Sequence, residues 1–220
     1  MADRPRIGII GGTGDLGSGL AKRWAAAGYE VVIGSRSREK AEAAARELAN
    51  GAVGSLKGDD NLGAARSADI VVLAVPYSNH NATLQELREA VRGKIVVDAA
   101  VPLVPPKVST VQLPPEGSAA QIAQSLLGDE VRVVSAFHNV GAAKLHSGGS
   151  VDCDVLVFGN SKEAREAVMA LADAAGTRGI DGGVLANSAA AEALTSILIG
   201  INRRYKVDGA GIRITGLPAA

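Results

Sequence analysis

The chain has 220 residues, 47% of them hydrophobic, with 23 Lys and Arg against 23 Asp and Glu. That length allows one good-sized domain, or one domain with a small appendage, and a formal net charge of zero speaks against nucleic acid or an anionic membrane as the main partner. A single cysteine, Cys153, excludes an internal disulfide and a cysteine-built metal centre, and 3% aromatic content leaves little surface for stacking bases. The start "MADRPRIGII" lacks the regions of a signal peptide, and no apolar run reaches the roughly 18 residues a membrane span needs. A soluble, cytoplasmic protein with no membrane and no nucleic-acid partner is expected.

Strand-length apolar runs alternate with helical patterns. A strand over 6–10 leads into a helix over 15–27 that stops at Gly28, and 30–35 reads as a second strand followed by a helix over 38–49. A short strand at 52–56, a short helix at 61–68 and a buried strand at 69–76 ending on Pro76 come next, then a helix over 79–91 and a strand over 94–100. These strands run apolar without alternation, as a parallel sheet covered on both faces requires. The fold class is therefore α/β: a Rossmann-type doubly wound parallel sheet with right-handed crossovers. Five prolines make 101–117 an extended loop. Ser118 then caps a helix over 118–128, with Gln121 at the capping-box position. Strands at 131–137 and 154–159 flank a less regular stretch, and a helix over 161–175 stops at Gly176. A glycine-rich turn around 180–188, a long apolar helix over 188–204 and a short strand "GIRIT" finish the chain. Residues 1–150 are expected to form a nucleotide-binding domain, and 151–220 a small carboxyl-terminal piece that closes over the sheet or pairs with another subunit.

Between the first strand and helix stands Gly12-x-Gly14-x-x-Gly17. Gly12 permits the tight turn, Gly14 lets backbone approach a pyrophosphate, Gly17 lets the helix pack on the strand, and the free N–H groups of the helix start face the phosphates. Asp15 and Leu16 lie within this loop-to-helix seat. About twenty residues on, an NAD site places a carboxylate on the ribose. This chain instead reads "GSRSREK", with Ser35, Arg36 and Lys40. Hydroxyl and guanidinium donors suit a 2′-phosphate that a carboxylate would repel, and Thr13 can add a further hydroxyl. NADP is thus favoured over NAD.

Familiar proton-transfer sets are missing. None of Tyr29, Tyr77 and Tyr205 has a lysine four residues later, the last long helix holds no internal lysine, and His80, His138 and His146 are too scattered for a metal site. No metal is expected. Hydride transfer with little side-chain proton chemistry fits a second redox cofactor as partner. The residues alone also fit an NADPH-dependent reductase of another small acceptor, an imine or carbonyl, or a non-catalytic NADPH-sensing protein.

Taken together, "IGGTGDLGSGLA", "VVIGSRSREKAE", "ADIVVLAVP", "VVSAFHNVGAAKL" and "LANSAAAEALTSILIGIN…GAGIRI" resemble the NADPH-dependent F420 reductase family, F420H2:NADP oxidoreductases, over nearly the whole chain. The resemblance implies hydride transfer between NADP and the deazaflavin coenzyme F420 by a small, often dimeric enzyme, and it extends to flavin or ferric reductases with the same NADP half; a homodimer is expected. By position it implies that Thr13, Ser35, Arg36 and Lys40 clamp the 2′-phosphate, and that Val75 and Pro76 border the NADP. It further implies that His138 and the Asn187-Ser188 pair line the deazaflavin pocket, with His138 and Ser188 as catalytic residues. His138 would hydrogen-bond the deazaflavin and help balance its charge. Ser188 is equally readable as a helix N-cap.

Overall fold

Each central strand buries both of its alternating sets of side chains, so it needs helices on both faces. In the computed structural model, Ile7, Ile9, Val31, Ile33, Val72 and Val97 pack into one core, while Ile10, Val32, Val71, Leu73 and Val96 pack into another. The structure describes residues 4–147 and 149–217. The first three residues of the polar lead, Gly148 and the last three residues of the carboxyl-terminal piece lie outside the described residues.

The strands are β1 (Ile7–Ile10), β2 (Glu30–Ser35), β3 (Ser55–Asp60), β4 (Ile70–Leu73), β5 (Ile95–Asp98), β6 (Arg132–Ser135), β7 (Asp154–Gly159) and β8 (Arg178–Gly183). The helices are α1 (Asp15–Ala26), α2 (Arg38–Leu48), α3 (Asn61–Ser67), α4 (Tyr77–Leu87), α5 (Ala119–Leu127), α6 (Ala142–His146), α7 (Lys162–Ala174) and α8 (Ser188–Tyr205). All eight strands form one sheet in the order β3-β2-β1-β4-β5-β6-β7-β8. The first six are parallel, which is the doubly wound arrangement, with a change of winding direction between β1 and β4. One core joins α1, α2, α6 and α7 to the sheet through Trp24, Ala41, Leu145 and Leu171; the other joins α3, α4 and α5 through Ala64, Leu84 and Ala123. Trp24 fixes the first layer, donating from Nε1 to Leu171 O at 2.7 Å and meeting Phe137 edge-on at 5.8 Å.

The parallel run ends at β6. β7 is antiparallel to it, and only Val134↔Gly159 and Ser135↔Phe158 pair. The first four residues of β7 therefore run on beyond the carboxyl end of β6, carrying β8 with them in parallel. Residues 151–183 thus extend the sheet itself.

Several sequence expectations change. The strand expected at 52–56 begins at Ser55, where pairing with Glu30 starts, because Gly51 (φ +78°) and Gly54 turn the chain first. The glycine-rich stretch from 180 is largely strand β8. A Cβ on Gly182 would lie 2.2 Å from the Phe158 ring, and one on Gly179 would lie 2.8 Å from Met169 backbone, so these glycines serve close packing within a strand. "GIRIT" forms no strand. It is stitched down by hydrogen bonds instead: Asp154 N donates to Ile212 O, and Ile214 N donates to the buried Asp154 carboxylate at 2.6 Å. Arg178 binds that carboxylate through two nitrogens, at 2.8 and 2.6 Å, and this pairing holds its pKa below the usual range. The helix expected at 79–91 occupies Tyr77–Leu87, starting straight after Pro76.

Asp154→Asn should destabilise the protein by about 2–4 kcal/mol, since it uncouples Arg178 and the tail from a buried acceptor. Denaturant unfolding measures the loss, and hydrogen exchange should show faster exchange at Ile214 N. Unchanged exchange there would contradict this account of the tail.

Candidate active site

The cleft lies outside the carboxyl ends of the strands at the change of winding direction, as open α/β sheets dictate. Its volume is about 440 Å³, and its walls include Gly11, Thr13 and Gly14 after β1, Ser35 and Arg36 at the tip of β2, and Val75 and Pro76 after β4.

The glycines divide the work. Gly11 turns the chain at φ +77°. A Cβ on Gly12 would meet Ile9 O at 2.8 Å, and one on Gly17 would meet Gly11 O and Gly12 Cα at 2.8 Å, so both are needed for backbone-to-backbone approach. Gly14 differs: a Cβ there would have only Gly11 O nearby, at 3.4 Å. The protein does not require that position to be bare, but a group lying in the cleft against the backbone would. Gly14 is also the N-cap of α1 and offers no side-chain cap, leaving first-turn N–H groups for an anion. Asp15 is exposed at that turn and Leu16 packs toward the core.

At the tip of β2 the cations separate. Arg38 is committed to Asp59 and Asp60, at 2.6 and 3.0 Å, whereas no ion pair engages Arg36 or Lys40 among the described residues. Arg36 is exposed at the cleft beside the half-buried Ser35. Lys40, on α2, is exposed and stands outside the residues that line the cleft. Ser37 caps α2, accepting from Lys40 N at 3.3 Å.

Further along the strand tips lies a buried polar cluster. His138 is 7% exposed, and its Nε2 lies 3.1 Å from Ser135 Oγ, while Nδ1 is buried without a partner. Burial lowers its pKa to about 4. The ring is therefore neutral at pH 7 and offers hydrogen bonding rather than the charge balance expected of it. Ser188 is fully buried and donates to Ser118 Oγ at 2.8 Å, so its hydroxyl is not presented to the cleft. It is also not the N-cap: α8 is capped at Asn187 without a side-chain bond, and Ser188 is the first helical residue. Asn187 is exposed, donating from Nδ2 to Gly182 O at 3.3 Å. Ser118 caps α5 as expected, accepting from Gln121 N at 3.0 Å.

Sequence reasoning missed the core of this cluster. Glu192 of α8, 1% exposed, accepts from Ala119 N at 2.6 Å and Ala120 N at 3.2 Å, capping α5 from across the fold. Burial raises its pKa to about 8 despite those two donors. Beside it, His80 Nε2 lies 2.7 Å from Asp98 Oδ2, both side chains being enclosed. Burial opposes protonation of His80, but the hydrogen bond and charge of Asp98 outweigh it and raise its pKa. Two ionisable residues in otherwise apolar stretches, Asp98 in "KIVVDAA" and Glu192 in "NSAAAEALTSIL", were the available signal.

The family profile "NADP oxidoreductase coenzyme F420-dependent" matches residues 6–102. The chain is 44% identical to the F420-dependent NADP reductase of Methanocaldococcus jannaschii, covering 96% of this chain and 99% of that one. It is 44% identical to the F420-dependent NADP reductase of Methanothermobacter thermautotrophicus, over 97% and 96%. A solved structure from Arthrobacter sp. FB24, provisionally assigned as an F420-dependent NADP reductase, superposes with a TM-score of 0.80 at 26% identity, covering 96% and 99% of the two chains.

Gly14→Ala should fold normally yet weaken binding of a pyrophosphate-containing ligand about tenfold or more. Gly17→Ala should instead cost about 1–3 kcal/mol of stability through backbone overpacking. Equal loss of stability in the two variants would refute the division. For Glu192, the folded state holds a proton that the unfolded state releases near its ordinary pKa of 4.5. Its contribution to stability is thus full below pH 4.5 and falls as pH rises to about 8. Glu192→Gln should flatten the decline of unfolding free energy across that window; parallel wild-type and variant curves would disprove the assignment.

Proposed function

The chain belongs to the F420-dependent NADP reductase family, and from that premise we propose that it exchanges a hydride between NADP(H) and coenzyme F420 in the cleft at the strand tips. The observation that carries this reading is the joint presence of a bare Gly14, an uncapped α1 start and the unpaired Arg36 around one cleft. The chemistry itself belongs to the bound pair: hydride passes between nicotinamide C4 and deazaflavin C5.

The protein's part is to bind, orient and exclude water. Gly12, Gly14 and Gly17, with Asp15 and Leu16 at the start of α1, seat the pyrophosphate, and the first-turn N–H groups neutralise it. Thr13, Ser35 and Arg36 take the 2′-phosphate, Arg36 by a two-pronged contact that needs no competing carboxylate. Arg38 supports this by masking Asp59 and Asp60. Lys40 adds long-range attraction from α2. Val75 and Pro76 form the apolar wall on the β4 side.

His138 follows the carboxyl end of β6 as a neutral ring with a free nitrogen, suited to hydrogen-bonding the second ring system without adding charge. Ser188 acts from beneath, through Ser118 and the start of α5. Asn187, exposed at the start of α8, takes the deazaflavin side in this reading. In this reading residues 151–217 supply the wall for the second ring system. They also supply the homodimer surface, which is supported by exposed Ile197 and Tyr205 on α8. No described helix is long and apolar enough to cross a membrane. A cytoplasmic setting accords with a lone free thiol, Cys153.

Mixing the purified protein with NADPH and oxidised F420 should bleach the 420-nm absorbance of the deazaflavin. Binding of NADPH without turnover would favour a sensor, and turnover with only a carbonyl, imine, flavin or ferric acceptor would favour another reductase. Arg36→Ala should raise the KM for NADPH about 10- to 100-fold, the loss expected for a charge-assisted bidentate contact, with far less change in the KM for F420. An unchanged KM for NADPH would remove Arg36 from the site.

A further inference from the structure

Two buried side-chain atoms among the described residues have no hydrogen-bond partner: His138 Nδ1 and Asn61 Oδ1. The first follows β6 and is not among the residues that line the cleft; the second is. Asn61 is the first residue of α3, directly after β3, and is 7% exposed. The helix does not need its side chain, because Asp60 is the N-cap and accepts from Gly63 N at 2.7 Å. Leaving a buried acceptor unsatisfied is unfavourable, so a polar side chain held this way calls for a partner from outside the protein. The surroundings make room for it: a Cβ on Gly34 of β2 would come within 3.2 Å of Asn61 Oδ1. Asn61 lines the cleft together with Thr13, Ser35 and Arg36.

An acceptor requires a donor. The pyrophosphate and the 2′-phosphate present acceptor oxygens, so they cannot serve. Asn61 shares its end of the cleft with the residues assigned to the 2′-phosphate, which is carried on the adenosine ribose. The donors of that half are the adenine 6-amino group and the ribose 3′-hydroxyl. We propose that Asn61 recognises the adenosine half of NADP(H), its Oδ1 accepting a hydrogen bond from one of these two donors. The proposal rests on the reading of the cleft as the NADP site, and it adds a specificity residue that the glycine loop and the "GSRSREK" tip do not contain. It also gives α3 a direct part in binding.

Isothermal titration of the full-length protein with adenosine 2′,5′-bisphosphate isolates this half of the ligand. Asn61→Ala should weaken binding about 5- to 30-fold, the loss expected for one buried neutral hydrogen bond. Its melting temperature without nucleotide should match wild type, since no internal bond is lost, and Asn61→Ser, which keeps a shorter acceptor, should bind with intermediate affinity. Comparing NADP+ with its hypoxanthine analogue separates the donors. If wild type prefers NADP+ and Asn61→Ala abolishes that preference, the amino group is the partner; if wild type binds both equally and the variant weakens both, it is the ribose hydroxyl. Wild-type binding with unchanged affinity in both variants overturns the role of Asn61 alone. Loss of melting temperature with unchanged affinity does the same. Failure of the wild-type protein to bind either nucleotide overturns the cleft assignment, and the role of Asn61 with it.

Discussion

The architecture depends on how closely α1 approaches β1. With no Cβ at Gly17, helix backbone lies directly against the Gly11–Gly12 turn. That approach aims the uncapped start of α1 at the strand tips and drops the helix onto the sheet, where Leu20, Ala21 and Trp24 seal the first core. The same principle recurs two residues on: a Cβ on Gly19 would meet Leu145 Cβ at 2.8 Å, so α6 is drawn against α1. Arg23 then binds the carbonyls at the end of α6, including Leu145 O at 2.8 Å and Lys144 O at 3.0 Å. A run of small residues thus sets both the direction of the α1 start and the packing of α6.

Around the tips of β5 and β6 the fold is organised by polar groups in place of missing side chains. Glu192 reaches from α8 to the first amides of α5, and Ser188 bonds the cap of that same helix. Asp98 at the tip of β5 holds both His80 and Ala100 N. Such enclosed bonds are strong in a low-dielectric setting and intolerant of a missing partner. They tie α8 to α5 and α4 to β5, a rigidity that suits a site in which two ligands must meet in a fixed geometry.

Legibility in the sequence followed the range of the forces involved. Five of the six parallel strands were readable because burial leaves near-continuous apolar runs; β3, "SLKGDD", is a half-buried edge strand and begins three residues later than expected, while the glycine loop was readable because Gly12 and Gly17 answer local steric needs. Arg36 and Ser35 were readable from their distance to that loop. β8 was not: "RGIDGG" has poor strand propensity, and its glycines make sense only once Phe158 and Met169 are seen beside them. "GIRIT" alternated like a strand, yet it is held by the backbone N–H and the carboxylate of the single residue Asp154 rather than by a ladder. Glu192 and Asn61 were hidden for a related reason. One satisfies donors seventy residues away and the other satisfies none within the protein, so neither leaves a pattern in its own neighbourhood.

The offset antiparallel pairing of β6 with β7 sets a measure for what can lie along this sheet. Because β7 runs on past the last parallel strand, it stands as an end-stop beside the row of strand tips. From β3 to β6 there are five inter-strand gaps, giving a shelf of about 24 Å at ordinary sheet spacing. A pair of ligands laid end to end must fit that shelf or overlap upon it. Shelf length is quantised by strand number, so a longer pair of ligands could not be admitted by adjusting loops. It would take another parallel strand between β5 and the end-stop.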